Sequence, residues 1–571
     1  MRVWTKLRLS KTVCLRKFSF RSALCRPRTT VICFNCGSLY KGKVTQFRTF
    51  CFASEDQRRN LDLEPADRQK QSQTSWEPVI GLEIHAQIKS ASKLFSGAGT
   101  QYGASPNTQV SLFDAAFPGT LPVLNQRCVQ AAVRTAQALG CHINCVSKFD
   151  RKHYFYADMP AGYQITQQRH PLAVGGSLTY VYQCSITSFV ERRSARLIQI
   201  QLEQDSGKSL HDLENGVSLI DLNRAGHGLM EIVTEPDFTS GDDAASFVKD
   251  LRDLLVAIGT CDGRMAEGSM RVDANVSVNR PGEPLGTRTE VKNINSTRNI
   301  RLAIDSEIER QIRVLEGGGV IENETRSYDA EDGQTIPMRD KEKLLDYRFF
   351  PEPNLPPLVI HCDHSTISPW SPSLSVILEK DEDFEKMLLP EQQRKRLEEK
   401  YGVPLIHSVV LVRQGLFDLF EILVNQHSCE VWATTAVLKT PYVAFLDDHK
   451  VDSEESPVSI EQLAELIHIF QREKISSSSL SLVLNELAVN SSISCQSVIE
   501  EKGLWIVDCD DVIFAAIDEV LAKNPQNVKS YKKGKTNQIK VFTNKVIKIL
   551  DGKANTMRIQ QLIKDRLDKR F

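Results

Sequence analysis

The sequence predicts an α+β protein, in which a large domain around a mostly antiparallel, cradle-like sheet precedes an all-α domain and a small basic helical tail. Three observations support this fold class. Four strand-like stretches between residues 81 and 292 alternate apolar and polar residues, as strands with one buried face do. Stretches with an apolar period of about 3.6 residues lie among them. After the proline-rich stretch 351–357, helical patterns dominate.

Length and composition set the broad class. A chain of 571 residues is too long for one hydrophobic core, so roughly two to four domains are expected. Its 41% hydrophobic and 25% charged residues are typical of a soluble globular protein. The sequence contains no run of about 18 apolar residues, so no membrane-spanning helix is predicted. The scattered cysteines, with a lone CxxC pair at Cys33 and Cys36, favour a reducing compartment.

The first 54 residues have the composition of a mitochondrial transit peptide. They contain twelve Lys or Arg and no acidic residue before Glu55, with Ser, Thr and Phe interspersed. A nucleic-acid-binding arm is the alternative. Residues 55–75 are predicted to form a polar linker. Without the leader the chain has a net charge of −13, so any contact with a polyanion must be local.

Four predicted strands each place polar side chains on one face. Side chains alternate across a strand, so the apolar residues of each stretch point to the opposite side. A solvated sheet face explains any one strand. Because oxygen ligands recur in four strands, a site for a hard cation such as Mg²⁺ is as well supported as a solvated face. The polar faces consist of Glu83, His85, Gln87 and Lys89; Gln199, Gln201, Glu203 and Asp205; Arg271, Asp273, Asn275 and Ser277; and Arg288, Glu290 and Lys292.

Helical periodicity predicts the remaining elements. Within the sheet domain, helices are expected over residues 127–139, 242–258 and 297–315. Beyond Pro357 we expect helices from about Leu374 onward, including 384–401, 460–470, 479–489 and 511–524. The predicted domains are 76–370, 371–500 and 501–571. From Lys523 to the end there are fourteen Lys or Arg and three Asp, which predicts a local contact with nucleic acid; solvated basic helices are the alternative.

A nucleotide-binding P-loop is excluded. Ser206-Gly-Lys-Ser209 resembles its end, but the glycine required five residues before Gly207 is replaced by Leu202. Longer strings are more specific, and in order they resemble GatB, the B subunit of the glutamyl-tRNA(Gln) amidotransferases of the GatCAB family. They include Gly81-Leu-Glu-Ile-His85, Pro118-Gly-Thr-Leu-Pro-Val-Leu-Asn125, Lys152-His-Tyr-Phe-Tyr-Ala-Asp-Met-Pro-Ala-Gly-Tyr-Gln164, Glu267-Gly-Ser-Met-Arg-Val-Asp-Ala-Asn-Val-Ser277 and Asp346-Tyr-Arg-Phe-Phe-Pro-Glu-Pro353.

The resemblance implies a two-step chemistry in the 76–370 domain. ATP phosphorylates the γ-carboxylate of glutamate on Glu-tRNA(Gln), and ammonia then displaces the phosphate to give Gln-tRNA(Gln). It further implies Mg²⁺ and ATP as cofactors, an amidase partner (GatA) that supplies ammonia, a small third partner (GatC) in the heterotrimer, and tRNA binding by the basic tail. With the leader, it implies the mitochondrial matrix. A non-catalytic tRNA-binding scaffold and amidation of Asp-tRNA(Asn) are the alternatives.

Site residues carry over by position. The resemblance implies metal ligands at Glu83, His85, Glu203, Asp273 and Glu290, of which Glu83, His85 and Asp273 are also candidate catalytic residues. Candidate cationic partners of phosphate are Lys208, Arg271 and Lys292, with ion pairing to the same carboxylates as the alternative. Candidates for binding substrate or ATP are Tyr154, Asp158, Tyr163, Asn223 and Arg224, with structural roles as the alternative.

Two departures from the family pattern bear on this prediction. Gln204 stands where the family has a carboxylate, which would weaken the metal site if that carboxylate were the ligand. Ser96, Ser111 and Asp114 stand where many bacterial relatives have zinc-binding cysteines, so no zinc site is expected.

Overall fold

A computed structural model describes residues 76–187, 189–212, 214–338, 348–361, 374–377, 381–490, 493–507, 509–532 and 535–569. The predicted transit peptide and linker lie outside these residues. The α+β fold class is confirmed, with a sheet-rich part followed by a helical part. Among the described residues no helix is both long and apolar enough to cross a membrane. The chain divides into two compact units. The first comprises residues up to 176, 196–244 and 264–378, and the second comprises 177–195, 245–263 and 379–571.

The described strands form one large sheet and three small ones. The large sheet has the order β15-β14-β13-β12-β1-β11-β8-β6-β2, with β7 also pairing with β8. The strands are β1 (Glu77–Gln87), β2 (His142–Ile143), β3 (Val146–Ser147), β4 (Asp150–His153), β5 (Tyr163–Thr166), β6 (Ala173–Val174), β7 (Ser177–Gln183), β8 (Val190–Gln204), β9 (Lys208–Asp212), β10 (Val217–Asp221), β11 (Gly228–Thr234), β12 (Met270–Asn279), β13 (Thr289–Ile294), β14 (Thr325–Asp329), β15 (Gln334–Pro337), β16 (Phe349–Pro351), β17 (Leu358–His361) and β18 (Leu374–Ile377).

Antiparallel pairing dominates the large sheet, as predicted. Strand β1 lies between β11 and β12 and pairs antiparallel with both, whereas β13 and β14 are parallel. The apolar faces are buried as the alternation predicts: Leu82, Ile84 and Val272 have no exposed surface. Ile198 was expected on the buried side of β8 but is 42% exposed, because a bulge at Val233 and Thr234 shifts the pairing there.

Three helices accompany the strands up to residue 338: α1 (Gln126–Ala138), α2 (Gly241–Ala257) and α3 (Thr297–Glu316). Their bounds agree with the prediction within one or two residues. Asn125 and Ser296 cap α1 and α3, because each side chain accepts a backbone N–H of the first turn. Helix α3 packs on the buried side of the sheet, where the Gln311 amide donates to the Val276 carbonyl at 3.0 Å.

The second unit is largely helical. Its helices beyond residue 381 are α4 (Glu382–Lys386), α5 (Pro390–Tyr401), α6 (Leu405–Arg413), α7 (Phe417–Asn425), α8 (Val431–Val437), α9 (Val443–His449), α10 (Ile460–Gln471), α11 (Ser477–Val489), α12 (Cys495–Glu501), α13 (Asp510–Lys523), α14 (Pro525–Lys532), α15 (Gln538–Ile549) and α16 (Thr556–Lys569). They enclose two apolar clusters, one between Leu397 and Leu504 and one between Ile513 and Leu567.

Two helix predictions differ from the structure. The helix expected over 384–401 is two helices, α4 and α5, with residues 387–389 between them. Residues from Leu374 were expected to begin a helix, but Leu374–Ile377 forms β18, which pairs in parallel with β17. A four-residue apolar run does not distinguish a strand from a helix by periodicity, and here the neighbouring strand supplies the hydrogen bonds. The predicted boundaries at residues 370 and 500 stay predictions.

Candidate functional site: an acidic face on the large sheet

Adjacent strands bring the predicted metal ligands to one face of the large sheet. Glu83 on β1 lies directly opposite Asp273 on β12, and Asn275 lies opposite Glu290 on β13. On the other side of β1, His85 lies opposite Glu231 on β11. Directly opposed residues of antiparallel strands share a face, so these side chains converge. Glu203 on β8 joins the same face through β11.

Three residues of this face form a cluster that we call the buried triad: Glu203 and Glu231 are buried, and His85 is half-buried. One ligand atom from each lies within 4.8 Å of the other two. Glu203 is 2% and Glu231 8% exposed, and burial raises the pKa of both carboxyl groups. The Glu231 carboxylate accepts a hydrogen bond from Gln201 at 2.7 Å. Lys152 lies 3.6 Å from Glu203 and is the nearby cation that opposes the rise.

Three further residues form an outer carboxylate group: Glu83, Asp273 and Glu290. Glu83 accepts from the Asn275 amide at 2.9 Å, and Asp273 accepts from the Asn293 backbone at 2.8 Å. Burial raises the pKa of Glu290, and the charges of Glu83 and Asp273 raise it further. The structure therefore divides the five predicted ligands between two neighbouring groups.

Sequence reasoning missed Glu231 as a site residue. On its strand the same face carries Leu229 and Val233, so β11 shows no polar stripe. The pairing of Glu231 with His85 identifies it, and that pairing is a property of the register rather than of the local sequence.

The residues present fit a hard divalent cation. Two carboxylates and an imidazole converge in the buried triad, and one Glu203 oxygen, Oε2, is buried without a hydrogen-bond partner among the described residues. An unsatisfied buried carboxylate oxygen costs free energy unless a cation or donor meets it. The donor set, rich in oxygen, suits Mg²⁺.

The three predicted cationic partners have different surroundings. Arg271 donates to Asp205 at 2.9 Å, so its observed ion pair is with this buried residue rather than with the predicted ligands. Burial would raise the pKa of Asp205, but Arg271 and Arg224 hold it below its ordinary value. Lys292 lies 3.6 Å from Glu290 on the acidic face. Lys208 is exposed on β9, whose partner strand is β10, and so lies outside the large sheet.

Asn223 and Arg224 hold loops together. Asn223 accepts from the Gln109 backbone at 2.9 Å and donates to the Ser105 carbonyl at 2.8 Å. Arg224 donates to the Ser206 carbonyl at 2.9 Å and to the Gly207 carbonyl at 2.5 Å. These contacts favour the structural alternative for both residues.

Gly207 is constrained by close packing. Its N–H donates to the Asp158 carbonyl at 2.9 Å, and a Cβ at this position would lie 2.9 Å from the carbonyl oxygens of both Asp158 and Asp221. Close backbone packing therefore explains the glycine at position 207, where the sequence resembled the end of a phosphate loop.

Gln204 points to the side away from the triad. Its side-chain oxygen accepts the Ile165 N–H at 3.0 Å, as the alternation along β8 requires once Glu203 faces inward. An amide satisfies this backbone donor without burying a charge.

A cavity of about 250 Å³ lies at the end of β8, where Gln204 and Asp205 line it. Tyr163 lies in its wall beneath the Arg151 guanidinium, which is 4.2 Å from the ring centre. Tyr154 packs on Tyr156, with ring centres 4.3 Å apart. The cavity is lined by, among others, Phe113, Phe117, Met159, Tyr163, Gln204 and Asp205.

A buried ion pair holds the neighbouring loop. Lys93 lies 3.2 Å from Asp114, which also accepts from Ser96 at 3.0 Å and from the Ser111 backbone at 2.9 Å. Burial lowers the pKa of Lys93. Ser96, Ser111 and Asp114, which stand where many bacterial relatives have zinc-binding cysteines, thus hydrogen-bond to one another.

Comparisons with known proteins identify the family of this chain. Residues 78–366 match the family model described as GatB/GatE catalytic domain, and residues 418–567 match the one described as GatB domain. The chain is 46% identical over 508 residues to the mitochondrial B subunit of glutamyl-tRNA(Gln) amidotransferase from Homo sapiens, covering 88% of this chain and 91% of the relative. For the Danio rerio protein of that name the identity is 45% over 491 residues, covering 86% and 89%. The B subunit of an aspartyl/glutamyl-tRNA(Asn/Gln) amidotransferase from Rickettsia felis is 44% identical over 494 residues, covering 86% and 98%.

Proposed function

The chain belongs to the GatB family, and on this premise we propose that it is the B subunit of a mitochondrial glutamyl-tRNA(Gln) amidotransferase. Its reaction is the amidation of glutamate on misacylated Glu-tRNA(Gln), with ATP as phosphoryl donor. The observation that carries the proposal is the acidic face, where the buried triad and the outer carboxylate group adjoin.

The two steps follow from carboxylate chemistry. A carboxylate has a poor leaving group, so its γ-oxygen first attacks the terminal phosphorus of ATP and ADP departs. Ammonia then attacks the acyl carbon, phosphate leaves, and the nitrogen loses a proton to give the amide. The main task of the protein is to position the reactants and offset their charge.

Residues of the acidic face are suited to that task. His85, Glu203 and Glu231, with the outer carboxylates beside them, would hold Mg²⁺. The bound ion would offset phosphate charge and orient the transfer. Lys292 stands among the outer carboxylates, where it can neutralise an incoming phosphate oxygen. Arg271 is the second candidate: it is paired with Asp205, and the charges of Asp273 and Glu203 also raise its pKa, which puts its positive charge next to the acidic face.

The assembly and compartment are part of the proposal. The amidase partner, GatA, would release ammonia from glutamine, and the small GatC chain would complete the heterotrimer. The basic leader and the mitochondrial names of the human and zebrafish relatives support the mitochondrial matrix. The helices from Asp510 to Lys569 carry the concentrated positive charge expected of a tRNA-backbone contact.

The test uses the purified complex with Asp273→Asn, supplied with Glu-tRNA(Gln), Mg²⁺, ATP and ammonia. Ammonia bypasses the glutaminase, so only the chemistry proposed for this chain is measured. We expect Gln-tRNA(Gln) formation to collapse while tRNA binding persists. Asp448→Asn, at an exposed position of α9, is the matched control. Normal amidation by Asp273→Asn would show that Asp273 is structural.

Amidation of Asp-tRNA(Asn) is the second candidate, favoured by the name of the Rickettsia relative. The same complex supplied with Asp-tRNA(Asn) separates the two substrates. A scaffold without catalysis would leave amidation unchanged in every variant of the acidic face.

A further inference from the structure

A row of aromatic side chains is exposed on the small sheet of β4, β5 and β16. Phe155, two residues beyond the end of β4, is 83% exposed, and Phe350 on β16 is 53% exposed. His153 lies between them, with ring centres 6.3 Å from Phe155 and 5.2 Å from Phe350. We call Phe155, His153 and Phe350 the aromatic row. Exposed rings of this size are costly to leave in water unless a partner covers them.

The aromatic row is built into the fold. Pairing of β4 with β5 and β16 sets His153 opposite Tyr163 and Phe350 opposite Arg151. Gly162 has a left-handed backbone, φ 74°, and a side chain there would lie 3.3 Å from the Phe155 ring. The glycine therefore leaves room for Phe155 to lie where it does.

The aromatic row is joined to the acidic face through neighbouring residues. Lys152 precedes His153 on β4 and points to the opposite side, where it lies 3.6 Å from Glu203. Tyr163, whose ring centre is 6.1 Å from His153, lines the same cavity as Asp205. Lys152 therefore reaches Glu203 from the far side of β4, and the cavity that Tyr163 and Asp205 share links the side of the row to the acidic face.

We propose that the aromatic row stacks the unpaired bases at the 3′ end of the aminoacyl-tRNA, the terminal adenine above all. This inference rests on the proposed function. The glutamyl group is esterified directly to the terminal ribose, so one ribose and one glutamyl group at most separate the adenine from the γ-carboxylate. Single-stranded RNA is bound by aromatic rings beside cationic groups, whatever its sequence.

Charge around the row agrees with an RNA ligand. Arg348 is exposed, and its backbone carbonyl oxygen lies 2.9 Å from Nδ1 of His153, so the chain brings a basic residue next to the row. A second cation, the Arg151 guanidinium, lies over the ring of Tyr163, the residue opposite His153. Glu352 forms an ion pair with Arg151 at 2.6 Å. A cation beside flat, exposed rings suits phosphate on one side and a base on the other.

The test uses the amidotransferase complex and tRNA(Gln) whose terminal adenine is replaced by 2-aminopurine, which is quenched when it stacks on an aromatic ring. We expect Phe155→Ala to abolish the quenching that accompanies binding. It should raise the KM for Glu-tRNA(Gln) about tenfold, the loss expected for one base–aromatic stack, with kcat changed less than about twofold. Phe155→Trp should restore both readouts. Because Phe155 is exposed, its replacement leaves the core intact.

Phe189→Ala is the matched control, since Phe189 is 54% exposed outside the row. Unchanged quenching and KM in Phe155→Ala would overturn the inference. Dissociation of the partner chains by Phe155→Ala, with quenching intact, would also overturn it and identify the row as a protein interface. A wild-type complex that quenches 2-aminopurine but forms no Gln-tRNA(Gln) from ammonia would keep the row as an RNA platform and refute the proposed function alone.

Discussion

Replacement of Glu231 by Gln should change stability and metal binding in opposite directions. The nearest ligand atoms of Glu203 and Glu231 lie within 4.8 Å, where two unit charges repel by about 3.5 kcal/mol at an effective dielectric constant of about 20. Lys152 offsets part of this repulsion, and proton uptake relieves another part because burial raises the pKa of both groups. We therefore expect the metal-free variant to be about 1–2 kcal/mol more stable than the wild type.

The same variant should bind Mg²⁺ poorly. The amide keeps the shape of the side chain but lacks the charge that a hard cation requires. Replacing residues behind metal ligands already costs about 10–100-fold in affinity. The Mg²⁺ concentration for half-maximal amidation should therefore rise by about 100-fold.

Urea unfolding in EDTA and in excess Mg²⁺, together with Mg²⁺ titrations of amidation, measures both effects. Glu235→Gln, at a partly exposed position just beyond β11, controls for the loss of a charge near this strand. A variant destabilised in EDTA with an unchanged Mg²⁺ requirement would refute the reasoning. Glu231 would then be a structural acceptor for Gln201.

Three further predictions concern other parts of the chain. Burial lowers the pKa of His227 to about 4, below about 6.5 when unfolded, so its stabilising contribution is present above pH 6.5 and lost as pH falls towards 4. Between pH 7 and pH 5 the wild type should lose about 2 kcal/mol more unfolding free energy than His227→Gln, as measured by urea titration. Gln204→Glu should leave the Mg²⁺ requirement unchanged but lower stability by about 1–3 kcal/mol, because it buries a charge beside the Ile165 N–H. Deleting residues after about 500 should weaken tRNA binding in filter assays and spare glutaminase activity of the complex; full amidation without them would remove the tail from tRNA recognition.

Strand faces were the part of the fold most accessible from sequence. Met270–Asn279 was predicted as a strand with alternating faces and has those bounds, because one buried side imposes a strict period of two. Helices α1 and α3 were also predicted correctly, because their apolar residues follow the helical period and a capping residue precedes each of them. Leu374 shows the opposite case, where a short apolar run carries too little periodicity to choose between helix and strand.

The membership of the site was only partly accessible. Glu83, His85, Glu203, Asp273 and Glu290 stand out because their strands repeat polar residues at every second position. Glu231 does not, since its neighbours on that face are Leu229 and Val233. Which strands lie side by side, and in what register, depends on packing across more than a hundred residues of chain, and no local pattern encodes it.

The charge balance of the acidic face supports the proposed cation site. In the buried triad, two carboxylates have Lys152 as a neighbouring cation at 3.6 Å from Glu203. In the outer group, three carboxylates have Lys292, at 3.6 Å from Glu290, and Arg288, whose charge also lowers the pKa of Glu290. Arg271 does not restore the balance, because Asp205 holds it.

Keeping such an excess of negative charge partly buried costs folding free energy. A sequence selected for stability alone would place apolar or amide side chains there, as at Gln201 on β8, which lies opposite Glu231. The carboxylates on this face destabilise the metal-free chain. A bound cation explains their presence, because it would compensate their negative charge in the working complex. This reasoning predicts that Mg²⁺ stabilises the whole acidic face, not only the triad, since Glu83 and Glu231 sense each other's charge.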